Sequence, residues 1–128
     1  MQKLVIEGSK STPDINFDPE NNILSIVGQS YPENAFKFYE SIFTWVDEYL
    51  QKLETEANVK IDFALPYINT SSSKCIMMLL EKFDEAFLAG KNIILCWYYD
   101  VDNESELECA QEFTEDLSLP FSLTTRQG

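Results

Sequence analysis

The run Val59-Lys60-Ile61-Asp62-Phe63-Ala64-Leu65-Pro66-Tyr67-Ile68-Asn69-Thr70-Ser71-Ser72-Ser73-Lys74-Cys75-Ile76 changes its hydrophobic period in mid-course. Val59, Ile61, Phe63, Leu65 and Tyr67 alternate with Lys60, Asp62 and Ala64, the pattern of a strand with one buried face. Pro66 has no N–H to give to a ladder and marks the strand's end. Beyond the polar segment, Ile76, Leu79, Leu80, Phe83 and Phe87 fall at helical spacing, which predicts a helix over 70–88 stopped by Gly90. A strand that passes directly into an amphipathic helix is the first half of a parallel βαβ unit.

The same alternation of strand and helix extends in both directions. Residues 92–99 (NIILCWYY) are almost wholly apolar and read as a strand buried on both faces. Leu107, Ala110, Phe113 and Leu117 give a third helix, and a short strand follows at 121–124. Upstream, residues 3–7 form a strand, and Asp18-Pro19-Glu20-Asn21-Asn22 is the turn of a hairpin with arms near 14–18 and 22–28. Ser30-Tyr31-Pro32-Glu33 has capping-box spacing, with Pro32 suited to a first helical turn. The helix it opens covers about 32–54. Its stripe is Phe36, Tyr39, Phe43, Val46, Leu50 and Leu53, widened by Ala35, Ile42 and Tyr49. Phe36, Tyr39, Phe43, Val46 and Leu50 should pack on a sheet that contains 59–65 and 92–98. The whole reads as one layered α/β domain over 1–128, with a mixed β-sheet and three main helices.

The 128 residues are enough for one domain, and the 45% that are hydrophobic supply a core without staples. Twenty-two acidic residues against nine basic ones leave a formal charge of −13. A field of that sign repels phosphate backbones and anionic lipid, so neither nucleic acid nor membrane is an expected partner. No apolar stretch approaches the ~20 residues of a membrane helix, and the N-terminus has no signal-peptide core, so a cytoplasmic location is expected. Cys75, Cys96 and Cys109 are an odd number at wide spacings, which fits neither a disulfide framework nor a zinc site. They read as small buried hydrophobes in a reducing compartment.

Catalytic equipment is sparse. The chain has no histidine, and its four glycines are isolated, so no phosphate-cradling loop is present. Asp100, Asp102 and Glu104 superficially resemble a calcium loop but lack its glycine and its spaced terminal glutamate, which leaves a solvated acidic loop. No enzyme, cofactor or metal site is expected.

Asn69-Thr70-Ser71-Ser72-Ser73 places five consecutive hydroxyl or amide side chains where a strand hands over to a helix. One reading is capping, because such side chains satisfy the free N–H groups of a first turn. A cap needs one of them, however, and here there are five. The other reading is phosphorylation: a phosphate there meets free N–H groups and the positive end of the helix dipole. Lys74, four residues beyond Thr70, would stand within pairing reach.

Ser30-Tyr31-Pro32-Glu33-Asn34, Tyr67-Ile68-Asn69-Thr70-Ser71-Ser72-Ser73-Lys74 and Trp97-Tyr98-Tyr99-Asp100 resemble the signature blocks of the SiaC family of bacterial regulatory phosphoproteins. Thr12-Pro13-Asp14-Ile15-Asn16-Phe17-Asp18 and Pro120-Phe121 fit as well, so the resemblance spans nearly the whole chain. It implies a fold similar to the STAS domains of anti-sigma-factor antagonists. It also implies that the threonine of the Asn-Thr-Ser-Ser block, here Thr70, is phosphorylated by a dedicated kinase and dephosphorylated by a PPM-type phosphatase. The unphosphorylated form would bind and activate a diguanylate cyclase, with biofilm formation as the output. Ser71 is the alternative acceptor, and Asn69, Ser72, Ser73 and Lys74 are the switch's surroundings. Tyr31 and the cluster Trp97, Tyr98 and Tyr99 are candidates for the partner surface, since such residues are enriched at interfaces. The end of a buried strand is the competing reading for the cluster. The rival function is a constitutive interaction or scaffolding module in which the Asn69–Ser73 run only caps a helix.

Overall fold

The computed structural model describes residues 1–126, so the last two residues of the expected domain, Gln127 and Gly128, lie outside the described residues. The elements in chain order are β1 (Leu4–Ile6), β2 (Asp14–Asp18), β3 (Ile23–Val27), α1 (Ala35–Lys52), β4 (Asn58–Ala64), α2 (Thr70–Leu88), β5 (Asn92–Asp100), α3 (Glu104–Thr114) and β6 (Phe121–Arg126). The strands form one six-stranded sheet whose spatial order is the chain order. β1, β2 and β3 pair antiparallel, and β3 through β6 pair parallel.

That order decides where the helices go. Each parallel step moves one place in the same direction, and crossovers of a single hand then fall on one side of the sheet. Burial follows suit. Ile15, Phe17, Leu24, Ile26, Val59, Ile61, Phe63, Ile93, Leu95 and Trp97 are buried on the helix side. On the opposite side Val5, Ile23, Val27 and Ile94 are exposed. β5 is therefore not buried on both faces, as its composition suggested. Ile94 is 43% exposed, and Cys96 and Tyr98 are half-buried on the open face.

α1 corrects two readings. It begins at Ala35, with Asn34 as N-cap accepting from the Lys37 N–H, so Ser30 and Pro32 lie outside it. Its buried stripe runs through Ala35, Tyr39, Ile42, Phe43, Val46 and Tyr49. Tyr39, Phe43 and Val46 are in the core as expected, whereas Leu50 is half-buried and Phe36 is 57% exposed. Phe36 lies in the first turn at the margin of the stripe, and its ring is tilted against Phe43 at 6.0 Å between centroids. β4 also ends earlier than its alternation suggested: after Pro66, Tyr67 points outward and is 54% exposed.

Gly28, at φ +129°, turns the chain tightly after β3, where an added Cβ would meet Pro13 at 3.2 Å. This turn delivers Ser30 to an isolated parallel bridge with Ile68.

Candidate functional site

The site is assembled at the C-terminal end of β4. Asn69 caps α2: its side-chain oxygen accepts from the Ser72 N–H at 2.8 Å. The Ser73 N–H and hydroxyl both donate to the Asn69 carbonyl, at 2.9 and 3.0 Å. The cap is anchored in turn, since Asn69 N–H donates to the Ser30 carbonyl at 2.9 Å and Ser30 N–H donates to the Tyr67 carbonyl at 2.8 Å. The first turn of α2 is thus bolted to the segment that follows β3.

Beneath the cap lies a buried chain of hydroxyls. Ser30 Oγ donates to Ser72 Oγ at 2.9 Å and lies 2.7 Å from Tyr39 Oη. A serine has a single proton to give, so Tyr39 must donate to Ser30. The chain Tyr39–Ser30–Ser72 therefore ties α1, the post-β3 segment and α2 together, with all three residues at 0% exposure. Burial pushes the Tyr39 phenol up to about 12, against an opposing contribution from the Ser30 hydrogen bond. It remains a neutral donor across the ordinary pH range.

These contacts divide the polar run in two. Asn69, Ser72 and Ser73 are occupied in capping and in the buried chain. Thr70 and Ser71 are exposed and take no part in either. Their own N–H groups belong to the first turn, where no preceding helical carbonyl exists to receive them. Lys74, one turn along, is exposed as well. A hydroxyl at the tip of α2 is therefore free, and its backbone presents donors suited to an anion.

Around this tip, Tyr31 and Tyr67 form an edge-to-face pair with centroids 5.9 Å apart. Tyr31 is half-buried and Tyr67 is exposed, and both adjoin the Ser30–Ile68 bridge in sequence. Tyr98 and Tyr99 are half-buried at the same end of the sheet, on the neighbouring strand. Trp97 is different. It has 0% exposure and sits between Phe63 and Phe113, at 5.3 and 5.5 Å, so it belongs to the core and is withdrawn from the partner surface. Two contributors are not apparent from the sequence pattern: Tyr67, which the alternation of β4 places inward, and the buried chain itself. Tyr39 at the centre of an apolar stripe was a usable signal for the latter, because a buried tyrosine hydroxyl needs a partner.

The acidic loop after β5 also has a structural role. Asp102 N–H turns back to Asp100 Oδ1, and Asn103 caps α3 through the Glu106 N–H. Among the described residues no cluster of ligands suited to a metal ion occurs, and no helix is long and apolar enough to cross a membrane.

Comparison with known proteins decides the family. The chain matches the SiaC family regulatory phosphoproteins over residues 6–126. It belongs to the SiaC family. An uncharacterized protein of Pseudomonas aeruginosa (strain UCBPP-PA14) is 39% identical over 123 residues, 96% of each chain. The crystal structure of apo-SiaC from Pseudomonas aeruginosa superposes with a TM-score of 0.90 at 38% identity, covering 97% of this chain and 99% of that one. SiaC in its crystal structure with the diguanylate cyclase SiaD, which it activates, gives the same TM-score and identity over 96% and 99%. The present chain thus has the mixed, STAS-like sheet with three main helices and belongs to regulatory phosphoproteins rather than to enzymes.

Proposed function

We propose that this SiaC-family protein is a signalling adaptor switched by reversible phosphorylation of Thr70. The unphosphorylated form engages and activates a diguanylate cyclase, and a kinase and a PPM-type phosphatase set the state of the switch. The observation that carries the reading is the division of labour at the tip of α2. Capping accounts for Asn69, Ser72 and Ser73, and it leaves Thr70 and Ser71 solvent-facing with no structural duty. The family match supports it, as does the relative crystallised as the activator of a diguanylate cyclase. Thr70 is the acceptor in this reading, on the resemblance of its Asn-Thr-Ser-Ser block, and Ser71 is the alternative.

A phosphate on Thr70 adds about −1.5 to −2 charges at one surface spot. The helix dipole stabilises it by roughly 0.3–1 kcal/mol, so the fold survives the modification. The partner feels it instead, because a dianion must be stripped of water where a small hydroxyl had packed. Tyr31 and Tyr67, with Tyr98 and Tyr99 at the same end of the sheet but on its two faces, are the candidates for contact with the partner.

The test is intact mass and peptide mapping of the protein purified from its native host. One added phosphoryl group on Thr70, removed by a PPM-type phosphatase, supports the switch. Its absence in cells that contain the active kinase leaves the constitutive interaction module, in which the run serves only as a cap.

A further inference from the structure

We propose that the free edge of β6 accepts an extended, basic segment of another protein as a seventh strand of the sheet. β6 is the last strand in the sheet order and, among the described residues, pairs only with β5. Leu95 N–H donates to the Pro120 carbonyl. In a parallel ladder a residue bonded in this way returns its carbonyl to the residue two further on, here Ser122. Ser122, Thr124 and Arg126 therefore face β5, and Phe121, Leu123 and Thr125 turn their N–H and C=O groups outward.

Such an edge is usually blunted by shortness, a lysine, a proline or a bulge. β1, at the other end of the sheet, is only three residues long. β6 has six residues, Phe121-Ser122-Leu123-Thr124-Thr125-Arg126, with no lysine or proline and an unbroken register against β5. It is the long, unprotected edge.

A groove runs beside it. Phe121, Leu123 and Thr125 share the helix-covered face with their register partners Leu95, Trp97 and Tyr99. Gln111, Glu112, Thr114 and Glu115 of α3 and the loop behind it face Phe121 and Leu123 across 420 Å³. The wall on the β6 side is apolar, with Phe121 41% exposed, and Glu112 and Glu115 on the α3 side are exposed carboxylates. At the far end Arg126 forms an ion pair with Glu106, which ties the first turn of α3 to β6.

The chemistry selects the occupant. A residue entering from a seventh strand needs an apolar stem to cover Phe121 and a cationic head for the two carboxylates, which describes arginine or lysine. The strand's own backbone supplies the bonds that Phe121, Leu123 and Thr125 leave open, the mode of strand addition to a sheet edge. A second copy of this chain fits poorly: it would bring its own Glu112 and Glu115 to the same groove, on a body of charge −13.

The experiment is a fluorescence-anisotropy titration of the whole protein with a labelled hexapeptide alternating valine and arginine. The control peptide has the same composition in two blocks. Thr125→Pro removes only an outward-facing N–H and so keeps the ladder to β5, and a second variant combines Glu112→Lys with Glu115→Lys. Circular dichroism and melting confirm each fold. Saturable binding of the alternating peptide, at least about tenfold weaker for each variant and for the block peptide, is expected. Equal binding of both peptides, or no loss in Thr125→Pro, overturns the proposal. So does a wild-type dimer in sedimentation that Thr125→Pro abolishes while no peptide binds, since the edge then belongs to a second copy.

Discussion

Ser30 and Ser72, forty-two positions apart in the chain, meet through a buried hydrogen bond of 2.9 Å between their hydroxyls. Ser30 also receives the proton of Tyr39, so one small side chain holds α1 and the first turn of α2 in register. Replacing Ser30 by alanine strands the Tyr39 hydroxyl in the core. The expected cost is about 1–3 kcal/mol in a denaturant titration, the penalty of a buried unsatisfied polar group. A double-mutant cycle between Ser30→Ala and Ser72→Ala should show coupling of about 0.5–3 kcal/mol. Strict additivity would mean that the hydroxyls do not interact.

Alkaline stability gives a second check. Burial pushes the phenols of Tyr39 and Tyr49 up to about 12 from an ordinary value of 10. The folded protein therefore keeps protons that the unfolded chain releases, and the stabilisation is complete below pH 10 and lost as pH rises toward 12. Chemical denaturation across that window should show a steeper fall for wild type than for Tyr39→Phe. Parallel curves would remove Tyr39 from the cause.

Phe36 and Phe43 distinguish the observed helix face from the expected one. Phe43 is 8% exposed, and truncation to alanine should cost about 3–5 kcal/mol. Phe36→Ala should cost about 1 kcal/mol, the worth of one aromatic pair. Similar losses for the two would restore the wider stripe.

The element order was legible in the sequence because period changes are local: the switch at Pro66 and the cap at Asn69 are written in adjacent residues. The exposed face of β5 was not legible. Ile94 and Cys96 are as apolar as a doubly covered strand requires, and only the one-directional strand order leaves that side bare. Ser30 was misread for a related reason. Its spacing to Glu33 mimics a capping box, and its true partners are supplied by Tyr39 and Ser72 through the tertiary fold. Thr70 was legible as a candidate, whereas the assignment of its neighbours to capping required coordinates.

The ion pair of Glu106 and Arg126 is asymmetric, with side-chain exposures of 1% and 28%. Arg126→Ala leaves a carboxylate in the interior, for which about 3–5 kcal/mol is expected. Glu106→Gln leaves a guanidinium that still reaches water, and it should cost less. The reverse order in urea unfolding would show that the arginine is the more deeply committed partner.

The most direct test of the switch is calorimetric titration of the host's diguanylate cyclase with three forms of this protein: unphosphorylated, Thr70→Ala, and phosphorylated on Thr70 by the cognate kinase. Circular dichroism should be the same for all three. The unphosphorylated and Thr70→Ala forms should bind alike, and the phosphorylated form at least about tenfold more weakly, a difference of about 1.4 kcal/mol or more. Equal affinity of the three folded forms would contradict the switch and make Thr70 an ordinary residue of a helix tip.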